Sequence, residues 1–191
     1  MPALSAVAAL VNEEQFAGLM KELDGTRTRF REALARHGGP KGLGDAVYET
    51  LGIDPDTTAE DPVRRACEID EETRADLERL CAAWDEGAAT NNGFARDVRQ
   101  WLAMQPEQRM TCWRELYASV FLKKDGALKA DSTLLSKGAL TFDEGALAIA
   151  RQRGESCIET LDLIKAISVA AATRALIGVG AALIDAYEHI K

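Results

Sequence analysis

Histidine is nearly absent from this chain: of 191 residues, only His37 and His189 carry an imidazole. The four cysteines, Cys67, Cys81, Cys112 and Cys157, include no C-x-x-C pair, so no zinc site is expected. A Ser–His–acid triad has no histidine in a nucleophile context, and the Glu-x-x-His motif of a di-iron bundle does not occur. Proline (5 residues) and aromatics (6%) are scarce, which leans away from a sandwich or barrel and toward helices. No basic segment precedes the apolar stretch at Met1–Leu10, so no signal peptide is expected. The most apolar run, Leu163–Ile184, is interrupted by Lys165 and Arg174 and is rich in Ala and Gly. It reads as a buried helix rather than a membrane span, and the expected location is cytoplasmic. The cysteines then read as small buried hydrophobes.

Nucleotide motifs are missing as well. Gly38-Gly39-Pro40-Lys41-Gly42-Leu43-Gly44 has no Gly-Lys pair followed by Ser or Thr, so it is no Walker A loop and reads as a helix stop and restart. Ile69-Asp70-Glu71 and Phe142-Asp143-Glu144 follow no β-rich run and fit helix N-caps. Gly178-Val179-Gly180 lacks the third glycine of a dinucleotide fingerprint.

What is present is helical periodicity. Asn12 and Gln15 suggest a capping box ahead of the stripe Phe16, Leu19, Met20, Leu23. Phe30 and Leu34 mark a helix stopped by His37-Gly38-Gly39-Pro40, and Leu43, Val47 and Leu51 a third face. Asp61-Pro62 and Asp70 read as further starts. Leu77, Leu80, Cys81 and Trp84 form a stripe, and Thr90–Gly93 reads as a turn. Phe94, Val98, Trp101 and Leu102 make the next stripe. Gln105-Pro106 opens a helix carrying Met110, Trp113, Leu116, Tyr117 and Val120. The three tryptophans lie on these stripes and are expected in the core.

From Phe121 to Leu140 the period is lost, and Asp125-Gly126 signals a hairpin turn. After Asp143 the pattern is helical, with one long helix expected over about 155–188 and either close packing or a kink at Gly178 and Gly180. The expected fold is mainly α: a multi-helix, bundle-like domain with a long C-terminal helix and an irregular loop or small hairpin near 121–140.

The net charge is −8, and residues 54–86 alone hold 12 acids against 4 bases. Two regions run the other way. Residues 27–41 hold five bases and one acid, and residues 121–137 hold Lys123, Lys124, Lys129 and Lys137 against Asp125 and Asp131. Such surfaces are compatible with phosphate contacts, although composition alone favours solvated helix and loop faces.

Phe121-Leu122-Lys123-Lys124-Asp125-Gly126-Ala127-Leu128-Lys129, followed by Ser136-Lys137, resembles a segment of the AddA helicase–nuclease family, members of the UvrD/Rep-like superfamily 1 helicases. The Ala-rich helix that follows and the ending Tyr187-Glu188-His189-Ile190-Lys191 are similar to the same family, as are Trp84 and residues 109–117 upstream. Lys123 stands where the family commonly has Thr, and Leu128 where it has Pro. The resemblance implies that residues 1–191 are a single 1B-like helical accessory subdomain of a larger helicase. Residues 121–140 would be its exposed basic loop, and Met1-Pro2 an added start. It implies no catalytic residue, cofactor or metal in this chain. ATP and Mg²⁺ would belong to the parent helicase, which unwinds and resects double-strand break ends in repair and recombination. The implied partners are DNA, the other helicase domains in cis and an AddB-like subunit. Lys123, Lys124, Lys129 and Lys137 are the candidate DNA-backbone contacts. The alternative is a free-standing acidic cytosolic helical protein-interaction domain.

Overall fold

The structure is a computed structural model that describes residues 13–188. The expected cap at Asn12 lies outside the described residues. So do the side chains of the Phe16–Leu23 stripe and of the Tyr187–Lys191 ending.

Among the described residues nine α-helices follow in order: α1 (Glu13–Arg36), α2 (Pro40–Thr50), α3 (Asp61–Cys67), α4 (Glu71–Asp85), α5 (Ala89–Leu102), α6 (Pro106–Cys112), α7 (Asp131–Leu134), α8 (Lys137–Phe142) and α9 (Ala146–Glu188). Helix α6 runs on through a π-helical turn, Trp113–Ala118, and a last turn, Ser119–Phe121. No strand occurs among the described residues, only an antiparallel bridge between Leu122 and Leu128. The mainly α architecture with its long C-terminal helix is as expected. The described residues form two compact units: those up to Thr57 together with those from Ala166 on, and Thr58–Lys165.

The unit Thr58–Lys165 is built around a run of touching rings. Phe94 meets Trp84 edge-on at 5.7 Å, and Trp84 lies 6.0 Å from Phe121. Phe121 meets Tyr117 edge-on at 5.3 Å, and Tyr117 stacks on Trp101 at 4.3 Å. Trp84, Trp101 and Trp113 are all buried, so the tryptophans are core residues. Burial leaves their N–H groups to find acceptors. Trp84 Nε1 donates to the Leu134 carbonyl (2.7 Å) and Trp101 Nε1 to that of Arg109 (2.9 Å). Local chemistry sets the helix starts: Asp70 Oδ1 accepts from Thr73 N at 2.7 Å, and Gln108 Oε1 from Gln105 N at 3.3 Å. Helix α3 begins at Asp61 itself, one residue earlier than expected, and the Asp61 carboxylate reaches back to Thr58 N (2.7 Å).

Thr90–Gly93 is no turn but the first turn of α5. Its polar residues read as a loop because one of them works inside the fold. Asn91, 1% exposed, donates from Nδ2 to the carbonyls of Thr133 and Leu134 and accepts from Ser136 N at 2.8 Å. The amide thereby satisfies the irregular backbone between α7 and α8, which has no ladder of its own. Those two helices, four and six residues long, are too short to show a period, and their region is only partly exposed. Phe121, Leu122, Leu134, Leu135 and Ala139 are buried.

In the other unit, α1 ends at Arg36 and α2 restarts at Pro40. Gly38 (φ 73°) and Gly39 (φ 106°) turn the chain between them, as the glycine-rich stop predicts. Arg174 of α9 donates to Asp45 Oδ1 at 2.7 Å and lies over the Tyr48 ring at 4.1 Å. Helix α9 is one element of 43 residues, longer than expected, and by length and composition it could cross a membrane. It is not buried all round. Ile167, Ala170, Ile177, Ala181 and Ile184 are buried, whereas Val169 (60% exposed) and Leu176 (61%) face outward. Close packing does not explain Gly178, since a Cβ there would meet open space.

Candidate functional site

The segment after the π-helical turn folds back as a tight hairpin. Lys129 N donates to Phe121 O (2.9 Å), Lys123 N to Ala127 O (2.8 Å) and Gly126 N to Lys123 O (3.0 Å). The loop is Lys124-Asp125-Gly126, with Gly126 at φ 87°, the left-handed position that such a three-residue loop requires. Asp125 Oδ1 fixes the turn by accepting from Ala127 N at 3.0 Å. The hairpin lies against α9 at Gly154, where an added Cβ would fall 2.2 Å from Leu128 Cδ1 and 3.4 Å from Phe121 Cβ. The tip is thus hydrogen-bonded within itself and seated on a helix.

The four candidate lysines separate in this geometry. Lys123 and Lys124 are exposed at the tip. Lys129 is half-buried and turned inward. Its Nζ donates to the carbonyls of Ser119 (2.6 Å) and Val120 (3.1 Å) and lies 4.4 Å from the centre of the Phe94 ring. It caps the end of the α6 extension, where orphan carbonyls and the helix dipole favour a cation. Burial pushes its ammonium below the ordinary lysine range. Lys137 is exposed at the first position of α8.

Lys123, Lys124 and Lys129 line one cleft of about 690 Å³ with Arg114, above a floor that includes Leu122 and Leu161; Lys137 does not line it. One acid, Glu115, stands among these bases. Sequence reasoning passed over Arg114. Its signal was present in the sequence, as an exposed base on the same helix as Trp113 and Tyr117, but only the fold brings it to the hairpin. No three His, Cys, Asp or Glu residues come together as a metal-binding group among the described residues.

No protein-family model, curated protein or solved structure matches this chain. The class of molecule that fold and cleft define is a mainly α protein carrying a seated basic hairpin.

Proposed function

We propose that the chain is a non-catalytic accessory subdomain that lays a basic hairpin along a DNA backbone, within an ATP-dependent helicase–nuclease of AddA type acting in double-strand break repair. The observation that carries the reading is the pairing of exposed Lys123 and Lys124, at a turn fixed by its own hydrogen bonds, with Arg114 on the same cleft. Ammonium groups at such a tip reach phosphate without a burial cost, and contacts of this kind position DNA without reading its sequence. The chain's net charge of −8 opposes DNA at long range, so most of the affinity comes from neighbouring helicase domains that raise the effective concentration.

The test has two parts. The genomic reading frame should carry a Walker A motif upstream of this sequence and a helicase segment downstream. In the full-length protein, Lys123→Ala, Lys124→Ala and Arg114→Ala together should weaken DNA binding and lower its salt dependence. Unchanged affinity and salt dependence would refute the proposal.

A second reading, a helical protein-interaction module, is favoured by the outward Val169 and Leu176 of α9. It predicts concentration-dependent association, or a protein partner, that Leu176→Glu abolishes while DNA binding is unaffected.

A further inference from the structure

The π-helical turn is an unusual element, and such turns concentrate at functional sites. This one places Trp113 and Tyr117, four residues apart, on a second cleft of about 330 Å³ that no residue of the basic hairpin lines. That volume lies at the small end of the range for small-molecule pockets.

Two residues that line this cleft, Trp113 and Arg153, each carry a buried hydrogen-bond donor that lacks an acceptor. Trp113 is 2% exposed and its Nε1 is buried with no hydrogen-bond partner. Arg153, whose side chain is 15% exposed, donates to Asp76 Oδ2 (2.7 Å) and Thr73 Oγ1 (3.3 Å), yet its Nε is likewise buried and unpartnered. A buried donor without an acceptor costs about 1–3 kcal/mol, so two in residues lining one cleft call for an acceptor. The mouth differs in character: Glu68 and Glu159 are exposed there beside Arg65. Those acids and Asp76 disfavour a phosphate dianion and favour a ligand with a cation at its outer end.

We infer that this cleft binds a small amino-acid-like zwitterion, its carboxylate toward Arg153 and Trp113 and its ammonium toward Glu68 and Glu159. Both donor nitrogens are buried behind the cleft surface, so binding requires a small rotation of the guanidinium or indole that turns them toward the carboxylate. The inference is independent of the DNA reading, since it uses none of the hairpin residues.

The test follows the assigned indole N–H signal of Trp113 in the 191-residue chain by ¹H–¹⁵N NMR. The free L-amino acids are titrated one at a time, with sodium chloride and inorganic phosphate at matched ionic strength. At least one amino acid should shift this signal saturably. Its N-acetyl derivative, which has lost the ammonium, and its amide, which has lost the carboxylate, should each bind at least tenfold more weakly. Tyr117→Phe removes only a hydroxyl from one of the residues that line the cleft and should weaken binding several-fold in a folded chain. The inference is overturned if no amino acid moves the signal, if phosphate moves it equally, or if the N-acetyl derivative binds as well as the parent.

Discussion

The ammonium of Lys129 is bound to the carbonyl oxygen of Ser119 at 2.6 Å, ten residues earlier in the chain, and so ties the returning arm of the hairpin to the end of the helix that launches it. Lys129→Met keeps an unbranched apolar stem but removes the cation over Phe94 and leaves the carbonyls of Ser119 and Val120 without this donor. The expected loss is about 1.5–3 kcal/mol, the usual range for a hydrogen bond involving a charged group. Urea unfolding should show it as a lowered midpoint at unchanged slope, whereas Lys124→Met should stay within about 0.5 kcal/mol of wild type.

Asn91 should be the most sensitive polar residue of the unit Thr58–Lys165. Asn91→Ala removes one acceptor and two donors to the backbone at Thr133, Leu134 and Ser136 and opens a cavity. A loss of roughly 3 kcal/mol or more is expected. Amide hydrogen exchange should quicken at Ser136 before it quickens in α4.

Much of the fold was legible because helices longer than two turns show their period. The stripes that carry Trp84, Trp101 and Tyr117 needed only that pattern, and the Asp125-Gly126 pair marked its turn through a glycine that must sit at positive φ. Asn91 was not legible: a buried amide and a surface turn use the same residue types, and only its partners forty residues away separate them. The lysines of 121–137 show the same limit. Spacing identified a basic segment, but whether a lysine points to solvent or to a carbonyl depends on tertiary packing that period and composition do not carry. The two orphaned donors at Trp113 and Arg153 had no trace in the sequence, since an indole on an apolar stripe looks the same with or without an acceptor.

The cysteines should react unequally. Burial raises the thiols of Cys67 and Cys81 to about 11 and that of Cys157 to about 12, from an ordinary 9.0. Cys112 is only half-buried. At pH 8 a thiol reagent should label Cys112 first and the other three only on unfolding. Above pH 9 the unfolded chain loses these three protons before the folded chain does. Stability should therefore fall as pH rises from about 9 toward 11, and replacing the three by Ser or Ala should flatten that fall.

Two glycines should respond in opposite directions. Gly178→Ala, in α9 with open space around it, should stabilise by about 0.5–1 kcal/mol. Gly138→Ala should destabilise by more than that, because its Cβ would fall 2.6 Å from the Glu86 carbonyl oxygen at the close approach of α8 to the end of α4. Thermal melts of the two variants should move to either side of wild type.

The central claim, that the hairpin tip is a phosphate-binding surface, is tested most directly by titrating the 191-residue chain with a single-stranded oligonucleotide at about 20 mM salt and reading backbone amide shifts. The account predicts shifts centred on Lys123, Lys124 and Gly126 and on Arg114, fading as salt rises. Lys123→Ala with Lys124→Ala should reduce the slope of log affinity against log salt by about 1.4, or about 0.7 for each phosphate no longer neutralised by a lysine. Shifts centred elsewhere, or the same slope in the double variant, would contradict it.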